Sequence, residues 1–349
     1  MRKNNFTAFI RAYPENKTNQ PVGRGSIAGF GADGEYQSHS LFRMYHILAI
    51  LTVCLWGTTF VSTKVLLMEG LSPSTIFFLR FLLAYAGMAA VCRKRLFTGS
   101  WRDEFLMFVA GLTGGSLYFV SENTALEYAL AGNVSLVVCL APLLTILFDG
   151  VVHRNFRSFS ARMLSGSLLA FVGVSLIVGA EPSTAAASRP FLGGVLAFVA
   201  AALWAVYQLI VKPLGDRYGA LMLTRKVFGY GLLSLLFFQM SGHSVLPSDM
   251  EVLLRPAVWG NLLYLGIVAS WICYFVWNKV VAKLGSVVSA NYIYLNPLTT
   301  CLFSYVFLDE RLSALMVFGG AAILAGIYLA AGAPAGGLSR KRKKCFPSS

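Results

Sequence analysis

The sequence predicts an all-α polytopic membrane protein with ten transmembrane helices, arranged as two inverted five-helix repeats. Three observations support this prediction: an apolar composition, regularly recurring apolar stretches, and matching residue spacings in the two halves. Of the 349 residues, 56% are hydrophobic and only 13% are charged, whereas a soluble domain carries about 25% charged residues. Because so few charges cannot cover a water-facing surface, the composition excludes a soluble globular enzyme and indicates a membrane protein.

The apolar stretches begin at residue 45 and recur with short polar loops between them. Each is about 20 residues long, which is enough for a helix to cross a hydrocarbon core of about 30 Å. The short loops predict that neighbouring helices pack antiparallel. The ten predicted spans are 45–65, 74–92, 105–125, 130–149, 160–179, 191–212, 220–240, 257–278, 286–307 and 313–332.

The distribution of charge predicts the orientation of these spans. The chain has 29 Lys and Arg against 15 Asp and Glu. If the N-terminus lies inside, the inside segments hold most of the cations, such as the run at 93–95, and the outside loops hold most of the acids. Because Lys and Arg concentrate in cytoplasmic loops, both termini are predicted to be cytoplasmic and the protein to lie in the plasma membrane. Nucleic acid is not an expected partner, since it binds a soluble basic face.

The predicted spans divide the chain into four regions. Residues 1–44 are polar and predict a disordered cytoplasmic tail, and residues 333–349 predict a basic cytoplasmic tail. The first five-helix repeat is predicted at 45–180 and the second at 190–332. Because Met44 stands directly before the first span, a translation start at Met44 is an alternative to a start at Met1.

Matching spacings relate the two halves. A Trp stands eight residues before a Lys in each half, and an Asn stands 19 residues before a Pro in each half. Because each half has an odd number of predicted spans, the second half enters the membrane from the opposite side, as in the inverted repeats of transporters. The pairs are Trp56 with Lys64, Trp204 with Lys212, Asn123 with Pro142, and Asn278 with Pro297.

The ordered set of motifs resembles the drug/metabolite transporter superfamily, of the EamA type. The resemblance covers residues 45–332, and one departure is visible: the acid after the Pro-bearing helix is present as Glu310 in the second half, whereas the first half reads Asp149, His153, Arg154 and Asn155. The matching segments are LWGTTF (55–60), LRFLLA (79–84), ALEY (125–128) with Pro142, LWA (203–205), Pro297, LDERLS (308–313) and GGAAILAG (319–326).

The resemblance implies a basket of helices 1–4 and 6–9 around a central substrate cavity, with helices 5 and 10 at the periphery. It also implies alternating access and export of small metabolites. We therefore expect a secondary transporter that exports a small neutral or zwitterionic metabolite such as an amino acid. The alternatives are an exchanger of organic phosphates or nucleotide sugars in the same superfamily, and a channel or membrane sensor.

The sequence does not predict an enzyme. Its four histidines fall in tails, loops or span ends, and it contains neither an HExxH nor a GxxxxGK[ST] motif, so no metal or cofactor is expected. The expected partners are a small-molecule substrate and the lipid bilayer. Transport could be coupled to protons, and the protein could be a monomer or a homodimer; the sequence leaves these alternatives open.

Aromatic and amide side chains near the middle of the spans are the candidate substrate ligands. A polar group that faces lipid is costly, so amides are expected to face a cavity, whereas for aromatic side chains helix packing is the alternative. The predicted cavity residues are Trp56, Tyr118, Trp204, Tyr207, Gln208, Trp271, Tyr274, Asn291, Tyr294 and Asn296.

Four charged side chains are candidates for gating or coupling. Arg80 lies inside the second span, where an unpaired cation costs at least about 2–3 kcal/mol, so it is either an anion-binding cation or a structurally paired one. Glu122 is either a proton carrier or an interfacial acid. Lys64 and Lys212 end helices 1 and 6 on opposite faces, and they either extend to the headgroups or form a pair of gates.

Two prolines predict breaks in helices. Pro142 and Pro297 lie inside apolar spans, and each removes a backbone donor and frees a carbonyl. The resulting kinks would line the cavity or act as hinges, and kinks that serve packing alone are the alternative.

Overall fold

The structure is a computed structural model that describes residues 32–92, 97–152, 161–180, 187–239, 250–310 and 313–331. These residues are nearly all helical and form ten helical segments, besides a short 3₁₀ turn at Met250–Leu254. The segments are α1 (Ala32–Met68), α2 (Pro73–Val91), α3 (Trp101–Tyr128), α4 (Ala131–Val152), α5 (Ala161–Ala180), α6 (Pro190–Tyr218), α7 (Ala220–Gln239), α8 (Pro256–Leu284), α9 (Ser286–Ala290, Asn291–Leu295 and Asn296–Leu308) and α10 (Ala314–Ala331).

The predicted all-α membrane architecture is confirmed at this level. Within the described ranges, six helices are long and apolar enough to cross a membrane: α1 from Arg43 onward, α2, α3, α4, α6 and α8. A shorter apolar helix covers Ala314–Gly326. The count of ten crossings stays a prediction.

The ends of the chain differ from the predicted boundaries. Helix α1 begins at Ala32, so residues 32–44, which the sequence analysis assigns to a disordered tail, are helical. Residues 1–31 and the basic tail predicted at 333–349 lie outside the described residues.

Local sequence signals set several helix boundaries. Ser72 caps α2 by accepting a hydrogen bond from the Thr75 N–H at 3.1 Å, and Pro73 occupies the first turn. A Ser at the N-cap and a Pro in the first turn are both typical of a helix start. Gly219 and Gly285 end α6 and α8 with φ angles of 82° and 88°, a backbone region that a residue with a Cβ rarely adopts. These two glycines therefore allow sharp turns into α7 and α9.

The packing of the helices repeats when the two halves are exchanged. Helix α1 packs against α9, and α6 packs against α4; α2 packs against α8, and α7 packs against α3. Helices α5 and α10 pack mainly on each other. Each half thus supplies corresponding helices to the other half, and eight helices surround the centre while α5 and α10 lie at the side.

Glycine contacts form the seam between α5 and α10. A Cβ added at Gly173 would lie 2.5 Å from Gly319 O, and one added at Gly326 would lie 2.4 Å from Gly166 O. The helix backbones therefore approach each other directly, as small residues permit in lipid. Large apolar side chains cover the outer surface of this pair and its neighbours: Leu168, Phe171, Phe191, Phe318 and Tyr328 are exposed.

We predict that Gly326→Leu destabilises the protein by about 1–3 kcal/mol or more, because the new side chain forces the two backbones apart. The measurement is the thermal unfolding midpoint of the purified protein in detergent. Gly260→Leu is the matched control, since a Cβ at Gly260 meets nothing within 4 Å. Equal midpoints for the two variants would contradict the assigned seam.

Candidate functional site

A small cavity lies at the centre of the eight-helix basket. Its volume is about 30 Å³, which holds about two water molecules. Side chains from both halves line it, and five aromatic residues, Trp56, Tyr118, Phe119, Trp204 and Tyr274, form what we call the aromatic cage. The other lining residues are Thr59, Phe60, Arg80, Glu122, Val138, Ile293 and Asn296.

The aromatic cage is a contiguous cluster of rings. Trp56 lies edge-on to Trp204 with 5.4 Å between ring centroids, and 5.5 Å from Tyr274. Tyr118 lies 5.2 Å from Trp204. Separations of 4.5–7 Å with tilted or edge-to-face rings are favourable for aromatic pairs. Rings from α1, α3, α6 and α8 thus form one surface around the cavity.

Two wide turns position this cage. Helix α3 contains a π-helical segment at Leu112–Ser116, and α8 contains one at Tyr264–Ile272. The Trp56 Nε1–H donates to Ala269 O at 2.9 Å, and the Tyr274 hydroxyl donates to Gly114 O at 2.9 Å. Each π segment therefore presents a carbonyl to a cage residue, in keeping with the frequent occurrence of π-bulges at functional sites.

The two π segments lie at the same spacing as two residue pairs of the two halves. A spacing of 155 residues separates Asn123 from Asn278 and Pro142 from Pro297. The same spacing carries Leu112–Ser116 into the range of Tyr264–Ile272. The wide turns are therefore a shared feature of the two halves.

Arg80 is the cation of the site. Its side chain is 1% exposed, and its Nε–H donates to Ser270 Oγ at 3.0 Å. The guanidinium carbon lies 4.3 Å from the centroid of the Phe119 ring, a cation–π distance. The cation is therefore held by α3 and α8 without a direct carboxylate partner among the described residues.

Glu122 is the acid of the site. Its side chain is 2% exposed and accepts a hydrogen bond from the Tyr118 hydroxyl one helical turn earlier. Arg80 and Glu122 both line the cavity. The site thus contains one buried charge of each sign.

Several buried polar atoms around the cavity lack a hydrogen-bond partner among the described residues. Two of them, Arg80 Nη1 and Asn296 Oδ1, belong to residues that line the cavity. Each such atom pays the cost of leaving water without a compensating bond. A donor and an acceptor are therefore available to a ligand at the centre.

Helices α4 and α9 are interrupted beside this site. In α4, the segment Ala131–Val138 is separated from Ala141–Val152 at Cys139–Leu140. In α9, a 3₁₀ segment at Asn291–Leu295 precedes the α-helical segment that begins at Asn296. The breaks lie directly before Pro142 and Pro297, where the sequence predicts kinks. Cys139 Sγ–H donates to Ile293 O at 3.3 Å, so the two breaks touch.

Two of the predicted cavity residues support the cage from behind. The Tyr207 hydroxyl donates to Asn278 Oδ1 at 3.0 Å, and its ring lies 5.0 Å from that of Trp204. With its amide oxygen turned toward the indoles, Gln208 accepts from the Nε1–H groups of Trp204 and Trp277 at 3.3 Å each. Neither residue lines the cavity, because both face the layer behind Trp204.

Three further predicted residues also lie outside the lining. The Trp271 ring packs against Gly87 on α2, where a Cβ would come within 2.6 Å of the ring. Asn291 and Tyr294 lie in the 3₁₀ segment of α9. Their side-chain oxygens lack partners among the described residues, but the tighter winding of this segment presents Ile293 to the cavity instead.

Lys64 caps a helix end. It is 6% exposed, and its ammonium donates to Leu126 O at 2.6 Å and to Ala129 O at 2.7 Å. A cation at a helix C-terminus satisfies free carbonyls and matches the helix dipole. The expected extension to the lipid headgroups therefore does not occur for Lys64.

Glu310 caps the N-terminus of α4, at the other side of the same turn. It is 8% exposed, and its carboxylate accepts from Ala131 N at 3.1 Å and from Gly132 N at 3.4 Å. We call Lys64, Glu310 and the α3–α4 turn between them the clasp. It joins α1 and the end of α9 to one hairpin through two buried charges.

Lys212, the counterpart of Lys64, is placed differently. It lies 3.8 Å from Asp216 with 44% of its side chain exposed. An exposed pair of this kind contributes about 0–1 kcal/mol. Its Cε lies beside the α8–α9 turn, 3.8 Å from where a Cβ of Gly285 would stand. The two lysines therefore occupy corresponding turns but make unequal contacts.

Comparison with known proteins identifies the family. The model of the EamA-like transporter family matches residues 43–179 and again residues 191–332. The chain belongs to the EamA-like transporter family. Membership confirms the resemblance to drug/metabolite transporters. The protein is a transporter and not an enzyme, and it is an integral multi-pass protein of the plasma membrane.

Curated relatives of this EamA-like transporter match nearly end to end. An uncharacterised transporter of Archaeoglobus fulgidus is 33% identical over 81% of this chain and 96% of the relative. A probable terminal-alkyne amino-acid exporter of Streptantibioticus cattleyicolor is 29% identical over 80% of this chain and 91% of the relative. A probable amino-acid metabolite efflux pump of Escherichia coli K12 is 26% identical, with coverage of 81% and 93%.

A solved crystal structure has a similar fold. It covers 82% of this chain and 97% of its own chain, with a TM-score of 0.53 and 22% sequence identity. Within the described ranges of this EamA-like transporter, no group of three or more His, Cys, Asp or Glu side chains could hold a metal ion.

Sequence reasoning missed several residues that hold the site of this EamA-like transporter. Ser270 and Phe119 fix Arg80, and Trp277 packs 5.1 Å from Trp56. The pair Gly114-Gly115 was the available signal for a wide turn, because Gly114 leaves no room for a Cβ beside Tyr207. No signal in the sequence predicts the partner of Arg80.

We predict that Tyr274→Phe lowers the free energy of unfolding of this EamA-like transporter by about 1–3 kcal/mol, because Gly114 O loses its side-chain donor in a buried site. The thermal unfolding midpoint in detergent measures this loss. Tyr328→Phe is the control, since Tyr328 is exposed. If both variants unfold at the wild-type temperature, the hydrogen bond to the π segment does not stabilise the cage.

Proposed function

We propose that this EamA-like transporter is a secondary exporter of a small neutral or zwitterionic metabolite of amino-acid type, which crosses the membrane through the central cavity by alternating access. The observation that carries the proposal is the cavity between the two halves, where an aromatic cage surrounds one buried cation and one buried acid. Two relatives bear names of amino-acid exporters or efflux pumps, which supports export as the direction.

The balance of charge favours a solute without net charge. Among the residues that line the cavity, Arg80 is the cation and Glu122 the acid. An organic phosphate or a nucleotide sugar carries net negative charge and is bound by clusters of Arg and Lys. The lining of this cavity therefore lacks the additional cations that an exchanger of organic phosphates or nucleotide sugars needs.

The size of the cavity favours a carrier over a channel. A volume of about 30 Å³ holds about two water molecules, so no amino acid fits without movement of the surrounding side chains. A solute that enters such a site requires the protein to rearrange. Coupled rearrangement is what distinguishes a carrier from a continuously open pore.

The topology that we propose has ten spans in two inverted repeats, with both termini in the cytoplasm. Three observations support it: the exchange symmetry of the helix packing, the paired π segments and the paired helix breaks. Discontinuous helices at the interface of two repeats are typical of transporter binding sites. The excess of Lys and Arg in the predicted inside loops supports the orientation.

The clasp is the element that we propose opens and closes one entrance. Its buried charges bind a hairpin end through four hydrogen bonds, whereas Lys212 at the corresponding turn is exposed. In the proposed orientation the clasp lies at the outer face. The closed outer entrance and the weaker inner turn then describe one state of the alternating cycle.

Expression of the wild type is predicted to raise the extracellular level of one class of amino-acid-like metabolite, and Trp204→Ala to abolish this increase, because Trp204 contacts three other cage rings. Metabolite analysis of the medium measures the change at equal membrane abundance. Trp101→Ala is the matched control, since Trp101 is 91% exposed. No difference between wild type and empty cells would contradict export.

We predict that Lys64→Met and Glu310→Gln each open the outer entrance more often, by about 5–30-fold for a loss of 1–2 kcal/mol. The measurement is the rate at which a membrane-impermeant thiol reagent, added outside, labels Ile293→Cys in a background without other cysteines. Lys212→Met is the control, because Lys212 makes only an exposed pair. Unchanged labelling in both clasp variants would overturn the gate assignment.

A further inference from the structure

We propose that Arg80 and Glu122 bind the two charged ends of an α-amino acid: Arg80 its carboxylate, and Glu122, together with Asn296, its ammonium group. This inference rests on the proposed function and names the chemical groups that the site selects.

Arg80 is positioned as an anion ligand. Ser270 and Phe119 fix the guanidinium from two sides, yet Nη1 has no hydrogen-bond partner among the described residues. A guanidinium presents parallel N–H groups that match the two oxygens of a carboxylate. The unpartnered donor at a buried position is therefore available to a carboxylate that enters the cavity.

Arg80 and Glu122 do not neutralise each other directly. No ion pair between described residues joins them, although both line the cavity. Another buried pair in this protein shows the direct arrangement: Lys226 Nζ lies 2.5 Å from Glu104 Oε1. Two separated opposite charges leave a field across the cavity, and a zwitterion is the solute whose own charges match it.

Asn296 supplies the second acceptor for the ammonium group. Its Oδ1 has no hydrogen-bond partner among the described residues and the side chain is 5% exposed. An ammonium group has three donors and no acceptor. Glu122 and Asn296 together satisfy two of these donors, and a water or a cage hydroxyl can accept from the third.

Binding at this site requires the cage to widen. The cavity of about 30 Å³ holds about two water molecules, so the rings of Tyr118 and Trp204 must move to admit an amino acid. The substrate side chain then lies among aromatic faces, which are apolar and adaptable in the contacts that they make. The charged ends fix the orientation, and the aromatic cage tolerates a range of side chains.

A proton competes with the ammonium group for Glu122. A carboxyl group that carries a proton no longer attracts an ammonium ion, so substrate and proton exclude each other at this residue. The titratable or charged groups around Glu122 are Tyr118 on its own helix, Arg80 on α2 and Tyr274 on α8. Lys64 of α1 binds the carbonyl of Leu126, one turn further along α3. Exclusive binding of proton and substrate gives antiport, so a proton that enters drives an amino acid out.

The test uses the full-length wild type in proteoliposomes and measures counterflow of the twenty common L-amino acids. For the amino acid that moves fastest, its primary amide and its deaminated carboxylic acid are then compared. We expect each analogue to be transported at least about 100-fold less efficiently, because a site built to bind a charged group rejects the analogue that lacks it. Equal transport of the amide would overturn the role of Arg80, and equal transport of the deaminated acid would overturn the role of Glu122.

Variants, and the pH dependence of counterflow, test the same assignment independently. We expect Arg80→Gln to lose the preference for the amino acid over its amide, and Arg80→Lys to retain part of it. Glu122→Gln is expected to remove the fall in counterflow that the wild type shows at acidic pH. Asp309→Asn is the control, since Asp309 is exposed and should preserve both properties.

The outcomes separate this inference from the proposed function. If the wild type moves none of the twenty amino acids in either direction, the proposed substrate class fails. If the wild type moves an amino acid but handles its amide and deaminated acid equally well, transport stands and the assignment of Arg80 and Glu122 is wrong. The comparison of analogues needs only the wild type, so it does not depend on the folding of any variant.

Discussion

Within the hydrocarbon core of a membrane, every backbone carbonyl and N–H group has to find its partner inside the protein. Helices α3 and α8 depart from regular α-helical bonding at corresponding places, and the carbonyls of Gly114 and Ala269 are bonded by the side chains of Tyr274 and Trp56. Satisfying the wide turns therefore fixes two neighbouring rings of the aromatic cage, Trp56 and Tyr274. The aromatic cage and its position at the centre depend on these hydrogen bonds between backbone and side chain.

Among the described residues, the buried charges discussed above fall into two groups with different partners. Lys64 and Glu310 are bound to the ends of helices, and Lys226 is paired directly with Glu104, so these charges are satisfied by the protein itself. Arg80 and Glu122 lie at the same cavity and remain separate. Arg80 Nη1 has no hydrogen-bond partner among the described residues, and an unsatisfied buried donor calls for an explanation. This contrast supports the proposal that the central cavity is the binding site.

The sequence was sufficient for the helices and for part of the site. Apolar length and loop charge predict membrane helices, and the repeated spacings predict that Pro142 and Pro297 mark breaks in corresponding helices. Trp56, Tyr118, Trp204, Tyr274 and Asn296 line the central cavity, because a polar group in the middle of a span is costly to expose to lipid. Which face of a helix they occupy depends on winding: the 3₁₀ segment turns Tyr294 away from the lining, and no periodicity in the sequence encodes that change.

The seam between α5 and α10 has a consequence for the chain as a whole. Outside the central basket, it joins the two halves through two close contacts between glycine backbones. Such contacts need no covalent connection between the helices, and each half brings one of the two surfaces. Two halves that are produced as separate polypeptides in one cell would therefore have a surface through which they can associate. Such fragment complementation is a consequence of this architecture.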